Sequence, residues 1–82
     1  MPAPRLSFAP DASVKTHVRS FRFARGEMSQ AHLANLVGVS RQTIIAIERG
    51  DYSPSVKLAL QLARALGTTV EQLFELEERD AE

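Results

Sequence analysis

Residues 29–50 read SQAHLANLVGVSRQTIIAIERG, and that run contains two helices with almost nothing between them. Ser29 stands where a helix N-cap is needed, with a hydroxyl able to accept an unsatisfied amide of the first turn. Leu33, Ala34, Leu36 and Val37 follow at helical spacing and are the expected buried positions. Gly38 suits the left-handed backbone that ends a helix, because it has no Cβ to clash. Only Val39 separates it from Ser40, the expected N-cap of a second helix in which Ile44 and Ile47 form the buried pair and Gly50 the stop. The link Gly38-Val39-Ser40 is too short for an antiparallel hairpin, so the two helices must cross steeply. Ala34 is small where they approach most closely.

Such a crossing holds the second helix proud of the body with one face free. If Ile44 and Ile47 are buried, Arg41, Gln42, Ile45, Ala46 and Arg49 point outward. Arginine pairs bidentately with guanine O6 and N7, and glutamine pairs similarly with adenine. Thr43 can reach a base edge or a phosphate, while Ile45 and Ala46 can meet thymine methyl groups. The free amides at the start of this helix also favour a phosphate. These residue types predict a reader of the DNA major groove, with Arg41, Gln42, Thr43, Ile45 and Ala46 as the base-contacting set.

Outward from this pair the helical reading continues. Asp51-Tyr52-Ser53-Pro54 is a turn. Ser55 caps a helix with Val56, Ala59, Leu62, Ala63 and Leu66 inward and Gly67 as its stop. Thr69 opens a short last helix with Val70, Leu73 and Phe74 inward and Gln72 closing a capping box. On the N-terminal side, Val14, Val18 and Phe21 share one stripe, so a first helix is expected from Val14, capped by Ser13, to near Gly26. Phe23 lies about 180° from that stripe at 100° per residue. It should be exposed unless Leu6 and Phe8, or a second subunit, cover it. Residues 1–13 hold three prolines and read as an extended arm, and residues 79–82 as an acidic tail. No strand signal is evident. The expectation is an all-α domain over 14–78 with five helices, the two-helix motif at 30–49 and the outward helix at 41–49.

The chain has 82 residues, 44% of them hydrophobic, which is enough for one packed core and too few residues for two. Cysteine is absent, which removes disulfides, thiol nucleophiles and thiolate metal sites and fits a reducing cytoplasm. No apolar run approaches the roughly 20 residues of a membrane span. The formal net charge is zero, but it is unevenly spread. In residues 1–50, seven basic against three acidic residues leave +4; in 51–82, three basic against seven acidic leave −4. A basic half beside an acidic half can turn one face to phosphate.

The stretch from Ser29 to Phe74 resembles the Cro/CI-type helix-turn-helix regulators, also called the XRE family, and the likeness extends back to about Val18. Ser29-Gln30, Ala34, Gly38-Val39-Ser40, Ile44, Ile47-Glu48, Gly50, Pro54-Ser55 and Ala65-Leu66-Gly67 stand in register with that family. The resemblance implies a five-helix DNA-binding domain, usually a dimer on an inverted-repeat operator, and the expected role is that of a repressor. By position, Arg41 and Gln42 resemble the principal base readers, with Ala46 one turn on. Gln30 resembles the residue that anchors a phosphate, and Arg49, Tyr52 and Ser53 sit where the family grips the backbone. The caps Ser29 and Ser40 complete the expected phosphate set. Arg22 and Glu48 resemble an internal ion pair between the first helix and the recognition helix. Three departures stand out: a turn at 25–29 longer by one residue, His32 in place of a capping glutamate, and Asp51 where a lysine is common.

Catalysis is not expected. Nothing sets a nucleophile beside a base, no glycine-rich phosphate loop is present, and His17 and His32 are too far apart for a local metal pair. No cofactor, small-molecule ligand or membrane partner is implied. The alternative reading is an antitoxin or adaptor that uses the same scaffold to hold a protein, although such a module has no need of Arg41 and Gln42 at groove-facing positions. For a dimer surface the candidates are the outer side of the last helix around Leu76, and the arm with Phe8 and Phe23.

Overall fold

The two helices of the motif meet as their spacing requires. The computed structural model describes residues 13–77, and α2 (Gln30–Val37) and α3 (Arg41–Glu48) lie at its centre. The Ser29 hydroxyl accepts the His32 amide at 3.0 Å, and the Ser40 hydroxyl accepts the Thr43 amide at 3.2 Å. Between the two helices Gly38 adopts φ 75° and ψ 32°. There its amide donates to the Asn35 carbonyl, and the Val39 amide to the Ala34 carbonyl at 3.0 Å. This pair of bonds closes the helix end and redirects the chain within one residue, in a conformation that costs an L side chain about 1–2 kcal/mol.

Two further helices complete the helical frame around this pair. α1 (Val18–Ala24) precedes the motif, and α4 (Val56–Leu66) follows it under the Ser55 cap. α5 (Val70–Leu73) is a single turn. Val18, Leu33, Ile44, Ile47, Leu62, Leu66 and Leu73 are fully buried and bring all five helices onto one core. Phe21, Met28, Val39, Val70 and Phe74 pack around its edge.

The ends of the domain differ from the expectation. Residues 13–16 form a strand, β1 (Ser13–Thr16), not the first turns of a helix, so no helix starts at the cap position expected at Ser13, and the arm–domain boundary expected after residue 13 falls inside the strand. β1 pairs antiparallel with β2 (Phe74–Glu77), with Val14 opposite Leu76 and Thr16 opposite Phe74. Phe74 therefore does not continue α5. It has φ −135° and ψ 142° and turns the chain into the sheet. α1 starts four residues later than expected, at Val18, whose amide is accepted by the Thr16 hydroxyl at 3.3 Å. A helix at 14–17 would leave β2 without a partner, whereas the sheet pairs both backbones.

Three smaller corrections concern packing and capping. Leu36 is exposed, because the buried arc of α2 is centred between Leu33, Ala34 and Val37, and Leu36 lies about 100° from that centre. Val56 is 77% exposed for the same reason, and Leu58 takes the buried place in the first turn of α4. The capping box at α5 is half made: Thr69 accepts the Gln72 amide, but the Gln72 side chain accepts the Thr68 hydroxyl at 2.5 Å instead of turning back to the cap. Leu6 and Phe8, expected as covers for Phe23, and the acidic tail at 79–82 lie outside the described residues.

Candidate nucleic-acid interface

α3 is fixed from behind by Glu48, the last residue of the helix. The Arg22 guanidinium grips it by two parallel bonds, Nε to Oε2 at 2.7 Å and Nη2 to Oε1 at 3.1 Å. Both side chains are only 7% exposed. Arg22 also donates through Nη1 to the Met28 carbonyl at 2.7 Å, which ties down the turn before α2. Gln30 adds a third donor to the carboxylate, Nε2 to Oε1 at 3.1 Å. One buried carboxylate thus ties α1, α2 and α3 together. Among the described residues no buried side-chain nitrogen or oxygen lacks a partner, which is the condition under which a buried ion pair is tolerated. The turn at 25–29 is shaped by two successive left-handed residues, Gly26 at φ 72° and Glu27 at φ 56°.

With Ile44 and Ile47 inside, the opposite side of α3 is free. Arg41 and Gln42 are exposed at its start, Thr43, Ile45 and Ala46 are half-buried along it, and Arg49 is exposed at its end. The Thr43 hydroxyl lies 3.0 Å from that of Ser40, so these two side chains form a small polar pair at the helix entrance. Arg49 lies 3.5 Å from Asp51, an exposed contact that partly offsets its charge.

Beside this face lies a hollow of about 630 Å³ between α1, the start of α2 and the flank of α3. Arg41, Ile45 and Arg49 enter it from α3, and Ser29 and Gln30 from α2. Of the expected interface residues, then, Ser29, Gln30, Arg41, Ile45 and Arg49 are brought together here, while Ser40 at the cap of α3 and Gln42, Thr43 and Ala46 along it lie outside the hollow. Tyr52 and Ser53 are exposed in the turn after α3 but outside this hollow; Ser53 borders a separate apolar groove with Val14 and Pro54. Arg19 and Phe23 of α1, not counted in the interface from sequence, also line the hollow. The available signal was their spacing of one helical turn. Phe23 is 46% exposed, as expected from its place opposite the core stripe.

A steep helix pair closed by a glycine turn, its second helix braced from behind and free in front, defines a DNA-binding helix-turn-helix domain. The chain belongs to the Cro/CI-type (XRE) helix-turn-helix family of transcriptional regulators: the helix-turn-helix family model matches residues 23–73. It is 49% identical over 69 residues to an HTH-type transcriptional regulator of Methanothermobacter thermautotrophicus, covering 83% of this chain and 99% of that protein. An HTH-type transcriptional regulator of Bacillus subtilis is 46% identical over 67 residues, covering 82% of this chain and 100% of the relative. Among solved structures, the restriction-modification controller protein C.AhdI from Aeromonas hydrophila matches with a TM-score of 0.63 and 38% identity, over 70% of this chain and 85% of that one. The protein is therefore a regulator and not an enzyme, with a five-helix fold to which a small sheet is added. Among the described residues no helix is long and apolar enough to cross a membrane.

Proposed function

We propose that the protein is a homodimeric, cytoplasmic repressor that reads an inverted-repeat operator, each subunit laying α3 in the major groove. The observation that carries this reading is the free face of α3, with Arg41 and Gln42 exposed where Ile44 and Ile47 are buried. Arg41 pairs with guanine and Gln42 with adenine, each good bidentate pair giving about 1–3 kcal/mol of discrimination. Thr43, Ile45 and Ala46 complete the base-reading set. Ser29, Gln30, Ser40, Arg49, Tyr52 and Ser53 hold phosphates on either side. Gln30 keeps one amide hydrogen for this after its bond to Glu48.

A second, independent surface supports the homodimer. Val56 and Leu60 are more than half exposed on α4, and Leu76 is exposed on β2. They adjoin an apolar groove lined by Val14, Pro54, Ala59, Val70 and Phe74. A continuous apolar patch of this kind on a small domain marks a docking surface. Lys57 and Arg64 flank it on α4. A two-fold axis through the patch would cover these apolar side chains with their own copies. This favours the α5–β2 candidate around Leu76 over the one that included Phe23, which lies in the hollow beside α3 instead.

Selection of bound sequences from a random duplex pool tests the proposal. The expected result is an enriched palindrome with half-sites about one helical turn apart, and lower expression when that palindrome overlaps a promoter. A pool that emerges without enrichment, or with an asymmetric single site, overturns it.

A further inference from the structure

We infer that the hollow between α1 and α3 is a phosphate seat for the DNA backbone, in which Arg19, braced on the Phe23 ring, is the gripping side chain. The inference rests on the DNA-binding reading above and extends the contact surface to α1, which that reading leaves out. Four arginines and two glutamates line the hollow. Arg22 and Glu48 neutralise each other inside the domain. What remains facing solvent is Arg19, Arg41 and Arg49 against Glu27, a positive excess in a concave site even with Arg49 partly offset by Asp51.

Arg19 is not an ordinary solvated cation. Its guanidinium carbon lies 5.3 Å from the centroid of the Phe23 ring, and that of Arg22 lies 4.9 Å from the same centroid. The ring, which takes no part in the core, is thus engaged by two guanidinium groups. The ring contact holds the Arg19 guanidinium near the hollow and engages none of its N–H groups in a hydrogen bond. Among the described residues no carboxylate pairs with it. A planar guanidinium with unsatisfied donors matches the bidentate geometry of a phosphate diester. The hollow also shares Arg41, Ile45 and Arg49 with the flank of the groove-reading face, so a duplex docked on α3 brings its backbone past the opening. That accounts for an exposed phenylalanine on the basic side of the molecule.

The test compares wild type with Arg19→Ala and Phe23→Leu, on the selected operator duplex and on a scrambled duplex, over a series of salt concentrations. Arg19→Ala should weaken binding to both duplexes by the same factor. The slope of log affinity against log salt should also fall by about 0.9 for each phosphate that is no longer neutralised, or about 1.8 in a dimer. Phe23→Leu should weaken binding to both duplexes as well, by a smaller factor. Unchanged affinity and slope in Arg19→Ala, with wild type binding normally, overturn the phosphate seat and leave the DNA reading intact. A loss confined to the operator assigns Arg19 to base readout and overturns it too. Failure of wild type to bind any duplex removes the DNA reading itself, and this inference with it. Both side chains are exposed, and an unchanged melting temperature confirms that each variant is folded.

Discussion

Arg22 and Glu48, 26 residues apart in the chain, are joined by two parallel hydrogen bonds directly behind the free face of α3. The contact does two things at once. It closes the polar side of the core, and it fixes how far α3 stands out from the body. Because Arg22 also holds the Met28 carbonyl, a disturbance at Glu48 reaches the start of α2 as well.

Removing one member of this pair should therefore be costly. Glu48→Ala strands a buried guanidinium and is expected to lose about 3–5 kcal/mol of stability. The double change Arg22→Met with Glu48→Leu should recover much of that loss, because a well-packed apolar pair is often neutral at such a site. Urea unfolding of the two variants measures both numbers. A single-variant loss below about 1 kcal/mol would place the pair with weak surface interactions instead.

The outward arginine of α3 makes a different prediction. Arg41→Ala should leave stability within about 0.5 kcal/mol of wild type, as expected for an exposed position. Its effect belongs in the ratio of operator to random-sequence affinity, which should fall by about tenfold or more once the bidentate pairing to a base is removed. Titration of both duplexes by fluorescence anisotropy reads that ratio. An equal loss on the two would move Arg41 from the base-reading set to the phosphate set.

The apolar patch on α4 can be tested without touching the DNA-facing side. Leu60→Glu places a charge in the middle of the proposed two-fold interface while altering a side chain already 57% exposed. Sedimentation should show a monomer in place of a dimer, with the helical circular dichroism retained. Operator affinity should drop steeply, since two half-sites no longer bind as one unit. A variant that sediments as wild type does would locate the dimer interface elsewhere.

The sheet contributes a modest pH dependence through Glu75. His17 Nε2 lies 2.7 Å from the Glu75 carboxylate, and this hydrogen bond is the main reason that the carboxyl titrates below its ordinary value of 4.5. Slight desolvation opposes the shift, and the charges of His17 and Lys15 reinforce it. A carboxyl depressed in the folded state favours folding above its unfolded value, and the contribution is lost as pH falls through the folded value. The melting temperature of wild type should exceed that of Glu75→Ala at about pH 5 to 6, and the gap should close as pH falls below 4.5. The Glu75 side chain is about half exposed, so added salt should shrink the gap. A gap independent of pH would mean that the carboxylate's charge plays no part.

The helix-turn-helix was legible because its signals are local. A cap serine, a terminal glycine and an isoleucine pair each fall within a few residues of the bond they make, and Gly38 and Ser40 behave as their neighbours in sequence require. The Arg22–Glu48 pair is not local, and only the family resemblance pointed to it. The sheet escaped notice because each strand is four residues long and its partner lies at the other end of the domain. Val14 fits a helical stripe with Val18 as readily as a strand, and the alternation in Phe74-Glu75-Leu76-Glu77 is too short and lacks the β-branched residues that would mark a strand. The relation of Arg19 to Phe23, one turn further on, has no meaning until Phe23 is known to face the hollow.

Ser13 and Glu77 sit opposite one another in the sheet, so the described chain finishes where it starts. A peptide linker of a few residues would join these two positions, and new ends could be opened in the exposed turn at Gly26-Glu27 without cutting either helix of the motif. The order in which the elements are synthesised is therefore separable from the arrangement they reach. For the same reason, two modules fused at opposite ends would leave from one shared corner and not from opposite poles.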